Sequence, residues 1–182
     1  TATITPTLPP TETPTITPTF TPEGPLVYSD DFSKDNKNWK GCTGCRWQDG
    51  VLLMGPYQPR GEGYDQANYT ICIACGKKTY FRLAVDATFA EGFTDRFYGL
   101  LIGEGKQFQT IVGISPLQYA ILARLDYTKG LWSLLNASTE NVYNKDVKPG
   151  KLVNRIEIIM SPAGAGHADL TMKLNGMVSF VT

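Results

Sequence analysis

Hydrophobic and polar residues alternate in short runs along most of the chain, from Leu26 onward. In residues 79–89, apolar side chains occupy most odd positions and polar ones most even positions. This period of two puts successive side chains on opposite faces, as in a β-strand with one buried face. Runs of this kind, separated by Gly, Asn, Asp and Pro, predict strands at residues 26–32, 51–54, 69–73, 79–89, 97–103, 108–114, 118–126, 131–135, 155–160, 168–174 and 177–181.

Two further signals indicate the fold class. Asn175-Gly176 separates the last two runs, and this dipeptide is typical of a two-residue β-hairpin turn. No segment has the sustained 3.6-residue apolar period of an amphipathic helix. We therefore predict an all-β domain over residues 26–182, built as a two-sheet antiparallel sandwich.

Residues 1–25 break this pattern and form a separate Thr/Pro-rich arm. Proline recurs at every fourth position from Pro6 to Pro22, which excludes a helix and removes backbone N–H groups. In an extended arm, one face is nearly all threonine, and its hydroxyls are glycosylation candidates: Thr3, Thr5, Thr7, Thr11, Thr13, Thr15, Thr17, Thr19 and Thr21. The other face carries the candidate docking anchors Ile4, Leu8, Ile16 and Phe20.

Three interpretations of the arm are open. It can be a stiff, O-glycosylated stalk that spaces the domain from a cell surface. It can add as a strand to the sheet of another copy, with its apolar side chains in a groove. It can also fold back on its own domain. We favour docking on another copy, because the alternation is strand geometry and the missing N–H groups restrict pairing to a single sheet edge.

Charge and composition exclude several classes of partner. The chain has 17 basic and 17 acidic residues, so its overall charge predicts no attraction to nucleic acid or to an anionic membrane. No apolar run is long enough to predict a membrane span. The chain starts at Thr1 rather than Met, which we interpret as a processed or partial mature sequence. Together with the Thr/Pro arm, the cysteines favour an extracellular or cell-surface location.

Four cysteines form two C-x2-C motifs, Cys42/Cys45 and Cys72/Cys75. In an oxidising compartment they are expected to form two disulfides, whose connectivity the spacing leaves open. Four thiolates could instead hold a structural zinc ion, and a redox function is the least favoured alternative. Either of the first two arrangements is expected to staple residues 40–75 onto the sandwich, contributing about 2–4 kcal/mol per bridge.

Several short motifs follow one another in a characteristic order. They are Tyr28-Ser29-Asp30-Asp31-Phe32, Trp39, Trp47-Gln48-Asp49-Gly50, FRLAVD at 81–86, YGLLI at 98–102, YAIL at 119–122 and Leu174-Asn175-Gly176. This order resembles the concanavalin A-like (laminin-G/glucanase-type) jelly-roll domains of bacterial surface proteins, which often follow Thr/Pro-rich linkers. The resemblance covers residues 26–182 and implies a jelly roll. Together with the arm, the architecture also resembles subunits of glycosylated extracellular fibrils.

The family pattern bears on both assembly and ligand binding. Such jelly rolls continue past the Asn-Gly hairpin, and a later strand pairs beside the Asp-Asp-Phe strand. Here the chain stops at Thr182, which predicts an open sheet edge. An arm that fills this edge in the next copy would give a head-to-tail filament. The alternative is a carbohydrate-binding module on a glycosylated stalk, with an aromatic platform at Tyr98, Tyr119 and Trp132.

The residues do not form a recognisable catalytic set, and we expect no enzyme and no cofactor other than covalent glycans. The single histidine, His167, follows a Gly-Ala-Gly turn, and no serine lies in a nucleophile-elbow context. The carboxylates Asp86, Glu91 and Glu157 lack the clustering that a glycosidase needs for its acid and its nucleophile. The leading interpretation is therefore a self-assembling structural protein.

Overall fold

The structure is a computed structural model, and it describes residues 28–35, 37–42, 44–55, 68–104, 107–126, 128–135, 142–164 and 167–181. The named positions of the predicted arm, with its anchors and glycosylation candidates, lie outside these residues. The chain divides into two units, residues 1–30 and 31–182. In the first unit, the Tyr28 hydroxyl donates a hydrogen bond of 2.6 Å to the Asp30 carboxylate.

The described residues are all-β and contain no helix, which confirms the predicted class. The strands are β1 Trp39–Lys40, β2 Arg46–Gln48, β3 Val51–Leu53, β4 Ile71–Cys72, β5 Phe81–Ala87, β6 Tyr98–Glu104, β7 Phe108–Ile114, β8 Tyr119–Asp126, β9 Leu131–Leu134, β10 Val142–Tyr143, β11 Asn154–Gly164, β12 His167–Leu174 and β13 Met177–Val181.

Two antiparallel sheets make up most of the second unit. The front sheet contains β6, β7 and β8 in that order, and β9 and β10 share the far edge of β8. The back sheet has the order β13-β12-β11-β5. The chain passes from back to front between β5 and β6 and returns between β10 and β11. Two short ladders, β1 with β4 and β2 with β3, stand apart from both sheets.

One core joins the inner faces of the two sheets, as in a β-sandwich. Val112, Ile114 and Leu122 of the front sheet and Ile156 and Met172 of the back sheet are fully buried in this cluster. Alternate residues of β5 pack against it from the edge of the back sheet, as the period-two pattern of residues 79–89 predicts. Burial of these aliphatic side chains is the main force that holds the sheets together.

The outer face of the front sheet is also covered, which the alternation did not predict. Ile121 and Ala123 point away from the common core, yet each is only 1% exposed. A Cβ built on Gly113 would lie 3.1 Å from the Cβ of Phe97, so Phe97 packs on this face. The continuous apolar run in β8 is therefore typical of a strand buried on both sides.

The turn residues account for both the confirmed and the wrong strand predictions. Asn175 and Gly176 have φ of 51° and 88°, which confirms the predicted hairpin between β12 and β13. The predicted strand at 26–32 is wrong for its described residues, 28–32. Phe32 has φ of 56°, and the Asp31 carboxylate accepts a 3.0 Å hydrogen bond from Ser33 N–H. This Asx-type turn replaces the strand ladder, because Asp readily bonds the backbone two residues ahead.

Candidate functional site

The cysteines pair within each motif rather than between motifs. Disulfides join Cys42 to Cys45 and Cys72 to Cys75. As disulfides, the four residues offer no thiolate to a metal ion. Within the described residues, no group of three or more His, Cys, Asp or Glu is arranged to hold one. Each bridge spans a sequence separation of three, so the expectation that these bridges staple residues 40–75 onto the sandwich is wrong.

The proposed aromatic platform is divided between two faces of the front sheet. Tyr98 lies on the inner face, packs against the core and accepts a 3.4 Å hydrogen bond from Asn154 Nδ2. Burial raises the pKa of its phenol, with a smaller opposing effect from that hydrogen bond. Tyr119 shares the outer face with Ile121, and Trp132 pairs in register with outer-face Leu125. Tyr98 and Tyr119 therefore lie on opposite faces of the front sheet.

The remaining catalytic candidates lie apart from one another. Glu157 occupies the outer face of the back sheet, where its carboxylate accepts a 2.8 Å hydrogen bond from Arg82 and lies 3.6 Å from Lys173 Nζ. Asp86 pairs with Arg155 at 3.1 Å on the same face. These contacts form a row of alternating charges along the sheet rather than a pair of carboxylates facing a cleft.

The outermost strand of the back sheet, β13, has the strongest features of an open edge. It pairs with β12 on one side, and no other described strand pairs with it. Its sequence, MVSFV, contains neither a charge nor a proline. Met177, Val178 and Val181 are 59%, 56% and 63% exposed. Natural edge strands usually carry charges or prolines that prevent pairing with other chains, so this edge lacks the common protection.

The opposite edge of the same sheet is protected. On β5, the exposed residues Arg82 and Asp86 both form ion pairs with β11. Charged side chains along an edge discourage a further strand, because they would be desolvated beside it. The two edges of the back sheet therefore differ, and β13 is the one suited to receive a strand.

A second feature is the end of the sandwich where four connections meet, namely residues 88–97, 115–118, 144–153 and 175–176. We call it the loop end. Gly150 N–H donates to the carbonyl of Pro116 at 3.0 Å, and Gln118 Nε2 donates to Val147 O at 2.7 Å. The Thr88 hydroxyl donates to Lys151 O at 2.7 Å. These bonds tie the connection 144–153 to two of its neighbours.

The centre of the loop end is the fully buried Asn154 at the start of β11. Its Oδ1 accepts hydrogen bonds from Lys148 N–H at 2.8 Å and from Asn175 Nδ2 at 2.9 Å. Its Nδ2 donates to Lys148 O at 3.0 Å and to Leu152 O at 3.2 Å, besides the longer contact with Tyr98. Because both the oxygen and the nitrogen of this buried amide have hydrogen-bond partners, the side chain fixes the conformation of the loop around it.

The sequence interpretation predicted an open sheet edge without assigning it to β13, and it missed the loop end, although each feature had a signal. The run 177–181 was predicted as a strand, and its lack of charge could have marked it as an unprotected edge. Lysines recur every third residue at Lys145, Lys148 and Lys151, directly before the apolar pair Leu152 and Val153. Only the fold shows that this pair is exposed.

Two further findings concern membrane spans and similarity to known proteins. Among the described residues, no helix is long and apolar enough to cross a membrane. No family model, no curated protein and no solved structure matches this chain. The resemblance to concanavalin A-like jelly rolls thus stays a prediction, and the functional argument depends on the surfaces themselves.

Proposed function

We propose that the protein is a non-enzymatic structural subunit of an extracellular filament, built on a jelly-roll-type sandwich. The N-terminal arm of one copy docks as an additional strand on β13 of the next. The observation that carries this proposal is the uncharged, proline-free edge with three exposed apolar side chains, Met177, Val178 and Val181. Such an edge offers free backbone N–H and C=O groups together with apolar surface, which is what strand addition uses.

The arm and the edge complement each other chemically. The arm carries apolar anchors at Ile4, Leu8, Ile16 and Phe20 and no basic residue, and its regularly spaced prolines remove N–H donors along one edge of an extended arm. It can therefore satisfy one edge without offering a second edge to a further chain. Since the arm and β13 are different surfaces of one molecule, the contact is heterologous and propagates without closing. Threonines on the outward face remain free to carry glycans.

The first test compares the full chain with a chain that begins at Glu23, by negative-stain microscopy and size-exclusion chromatography. We expect filaments from the full chain and monomers from the shorter one. Filaments from both would refute a role of the arm in assembly. Monomers from both would leave the arm as a stalk.

The second test locates the acceptor. Val178→Lys with Val181→Lys puts two charges on the exposed face of β13, and we expect monomers that keep the wild-type unfolding temperature. The matched control is Val51→Lys with Ile71→Lys, at residues that are 45% and 53% exposed on other strands. Normal filaments from the β13 variant, or loss of filaments in the control, would contradict the assignment of this edge.

A carbohydrate-binding function is the second candidate. Tyr119 and Tyr143 are cross-strand partners on the front sheet, and Tyr143 is largely exposed. Aromatic faces of this kind pack against sugar rings. The measurement is glycan-array binding of the chain that begins at Glu23, with Tyr143→Ala as the comparison. Binding that is lost in this variant would support the second candidate, whereas no binding by either would refute it.

A further inference from the structure

The loop end exposes large apolar side chains from three of its four connections and from the start of β13. They are Phe93, Leu117, Leu152, Val153 and, beside the hairpin turn, Met177. Exposed apolar residues scattered singly are common on protein surfaces, but a group on adjoining loops marks an interaction site.

The exposure of Leu152 and Val153 is imposed by the fold. These adjacent residues are 55% and 53% exposed. Asn154 Nδ2 holds the carbonyl of Leu152, and the Thr88 hydroxyl holds that of Lys151, so the backbone on this side is fixed. The two side chains are therefore presented outward by a rigid support, and a partner that buries them need not order the loop first.

Positive charge precedes the apolar pair in the same connection. Lys145, Lys148 and Lys151 are exposed, and none of their side chains forms an ion pair within the described part of the chain. Against these three cations, the connection 144–153 contains one acidic residue, Asp146. The overall charge of zero predicted no attraction to an anionic surface, but this connection has three lysines against one aspartate, a local excess of two positive charges beside an exposed apolar pair.

Acidic residues on the neighbouring connection limit this excess without cancelling it. Glu91 and Asp95 are exposed on residues 88–97, and Asp95 lies 3.7 Å from Arg96 of the same connection. Over the four connections of the loop end, the four cations Arg96, Lys145, Lys148 and Lys151 exceed the three acids Glu91, Asp95 and Asp146 by one, so a net positive charge remains.

We propose that the loop end docks on an anionic lipid surface. Leu152 and Val153 enter the boundary between headgroups and acyl chains, and the three lysines contact lipid phosphates. Aliphatic side chains flanked by lysines are typical of proteins that lie on membranes. The aliphatic character argues for acyl chains rather than sugars, because sugar rings are recognised by aromatic faces, and Leu152 and Val153 have none. This proposal does not depend on filament assembly, since β13 and the loop 144–153 can be altered separately.

The test is flotation of the full chain with vesicles of phosphatidylcholine, with and without phosphatidylglycerol, in a density gradient, where filaments that carry no lipid stay at the bottom. We expect binding that needs the anionic lipid and weakens as salt is added. Lys145→Gln with Lys148→Gln and Lys151→Gln should lower the partition coefficient about 100-fold, at about fivefold per lysine. Leu152→Asp with Val153→Asp should lower it at least about tenfold through the lost apolar contact and the added negative charge.

Two control variants make the same chemical changes elsewhere. Lys40→Gln with Lys77→Gln and Lys78→Gln removes three exposed lysines outside the loop end. Val51→Asp with Ile71→Asp adds two acids at comparably exposed aliphatic residues. We expect both controls to bind within about threefold of the wild type, because surface charges far from the contact are screened. Circular dichroism and thermal unfolding verify that all four variants are folded.

Two results would refute lipid docking by the loop end. A wild-type chain that does not float with either kind of vesicle refutes the proposal and leaves the loop end to a protein partner. Equal losses in the loop-end variants and their controls would show that only overall charge matters, which also refutes a specific docking surface.

Discussion

Replacing Asn154 with alanine tests whether the loop end is held by one buried amide. The side chain is fully buried and has two close acceptor contacts and two close donor contacts. Each hydrogen bond contributes about 1 kcal/mol, and buried partners left unsatisfied add to the loss. We therefore expect Asn154→Ala to lower the free energy of unfolding by about 4 kcal/mol, a large share of the stability of a domain of this size.

The assay has a global and a local readout. Urea titration measures the free energy of unfolding, and amide hydrogen exchange measures the protection of Lys148 N–H, which donates to Asn154 Oδ1. A local loss of about 4 kcal/mol corresponds to an exchange rate about a thousandfold faster at this amide. The control is Gln107→Ala, at an exposed amide side chain, which should change the stability by less than about 0.5 kcal/mol.

A second substitution separates the two halves of the amide. Asn154→Asp keeps the acceptor for Lys148 N–H but replaces the donor with a charge that faces the carbonyls of Lys148 and Leu152. We expect it to be at least as destabilising as alanine. A loss below about 1 kcal/mol in both variants, with unchanged protection of Lys148, would refute the assignment of Asn154 as the clamp.

Three further predictions address the strand packing, the disulfides and the buried tyrosine. Gly99→Ala should lower the free energy of unfolding, measured by denaturant titration, by about 1–3 kcal/mol, because the new Cβ would lie 2.2 Å from a carbonyl oxygen of β7. The control is Gly103→Ala on the same strand, whose Cβ meets nothing within 4 Å and which should be tolerated. Equal losses in the two variants would contradict this prediction. Cys42→Ser with Cys45→Ser should lower the free energy of unfolding by at most about 2 kcal/mol, because the bridge restricts only a four-residue loop of the unfolded chain. A larger loss would mean that this bridge does support the sandwich. Burial raises the pKa of Tyr98 above its usual value of 10.0, so stability should be complete below that pH and decrease as the pH rises further, when the unfolded chain ionises first. Tyr98→Phe should reduce this alkaline loss, and an unchanged loss would assign it to other groups.

The confirmed predictions of strands and turns were those that depend only on residues close together in the sequence. Asn175-Gly176 formed the expected hairpin because both residues accept positive φ, a property of the residues themselves. The alternation in residues 79–89 gave a strand with one face on the core, because the strand period fixes which side chains share a face. Three short strands, β1, β2 and β10, were missed, since two or three residues are too few to show a period; β3 and β4 are equally short, but they fell within the longer predicted runs 51–54 and 69–73.

The wrong predictions concerned competition between local and long-range contacts. Residues 28–32 have an acidic-aromatic pattern compatible with a strand, but Asp31 bonds the backbone of Ser33 instead. The cysteine spacing allowed pairing between motifs, and the structure has only pairing within them. Sequence spacing cannot choose between these pairings, because the choice depends on which sulfur atoms the folded backbone brings together.

The sequence by itself determined the all-β class and most of the strands, and it sets the Thr/Pro-rich composition of residues 1–25 apart from the rest, because strand period, turn chemistry and proline restriction are properties of neighbouring residues. Only the tertiary structure decided that β13 is an unprotected edge while β5 is not, and that the apolar pair Leu152 and Val153, which follows three lysines, is exposed. Exposure and edge position depend on what the rest of the chain leaves uncovered, so they follow from the packing of both sheets and not from any local pattern.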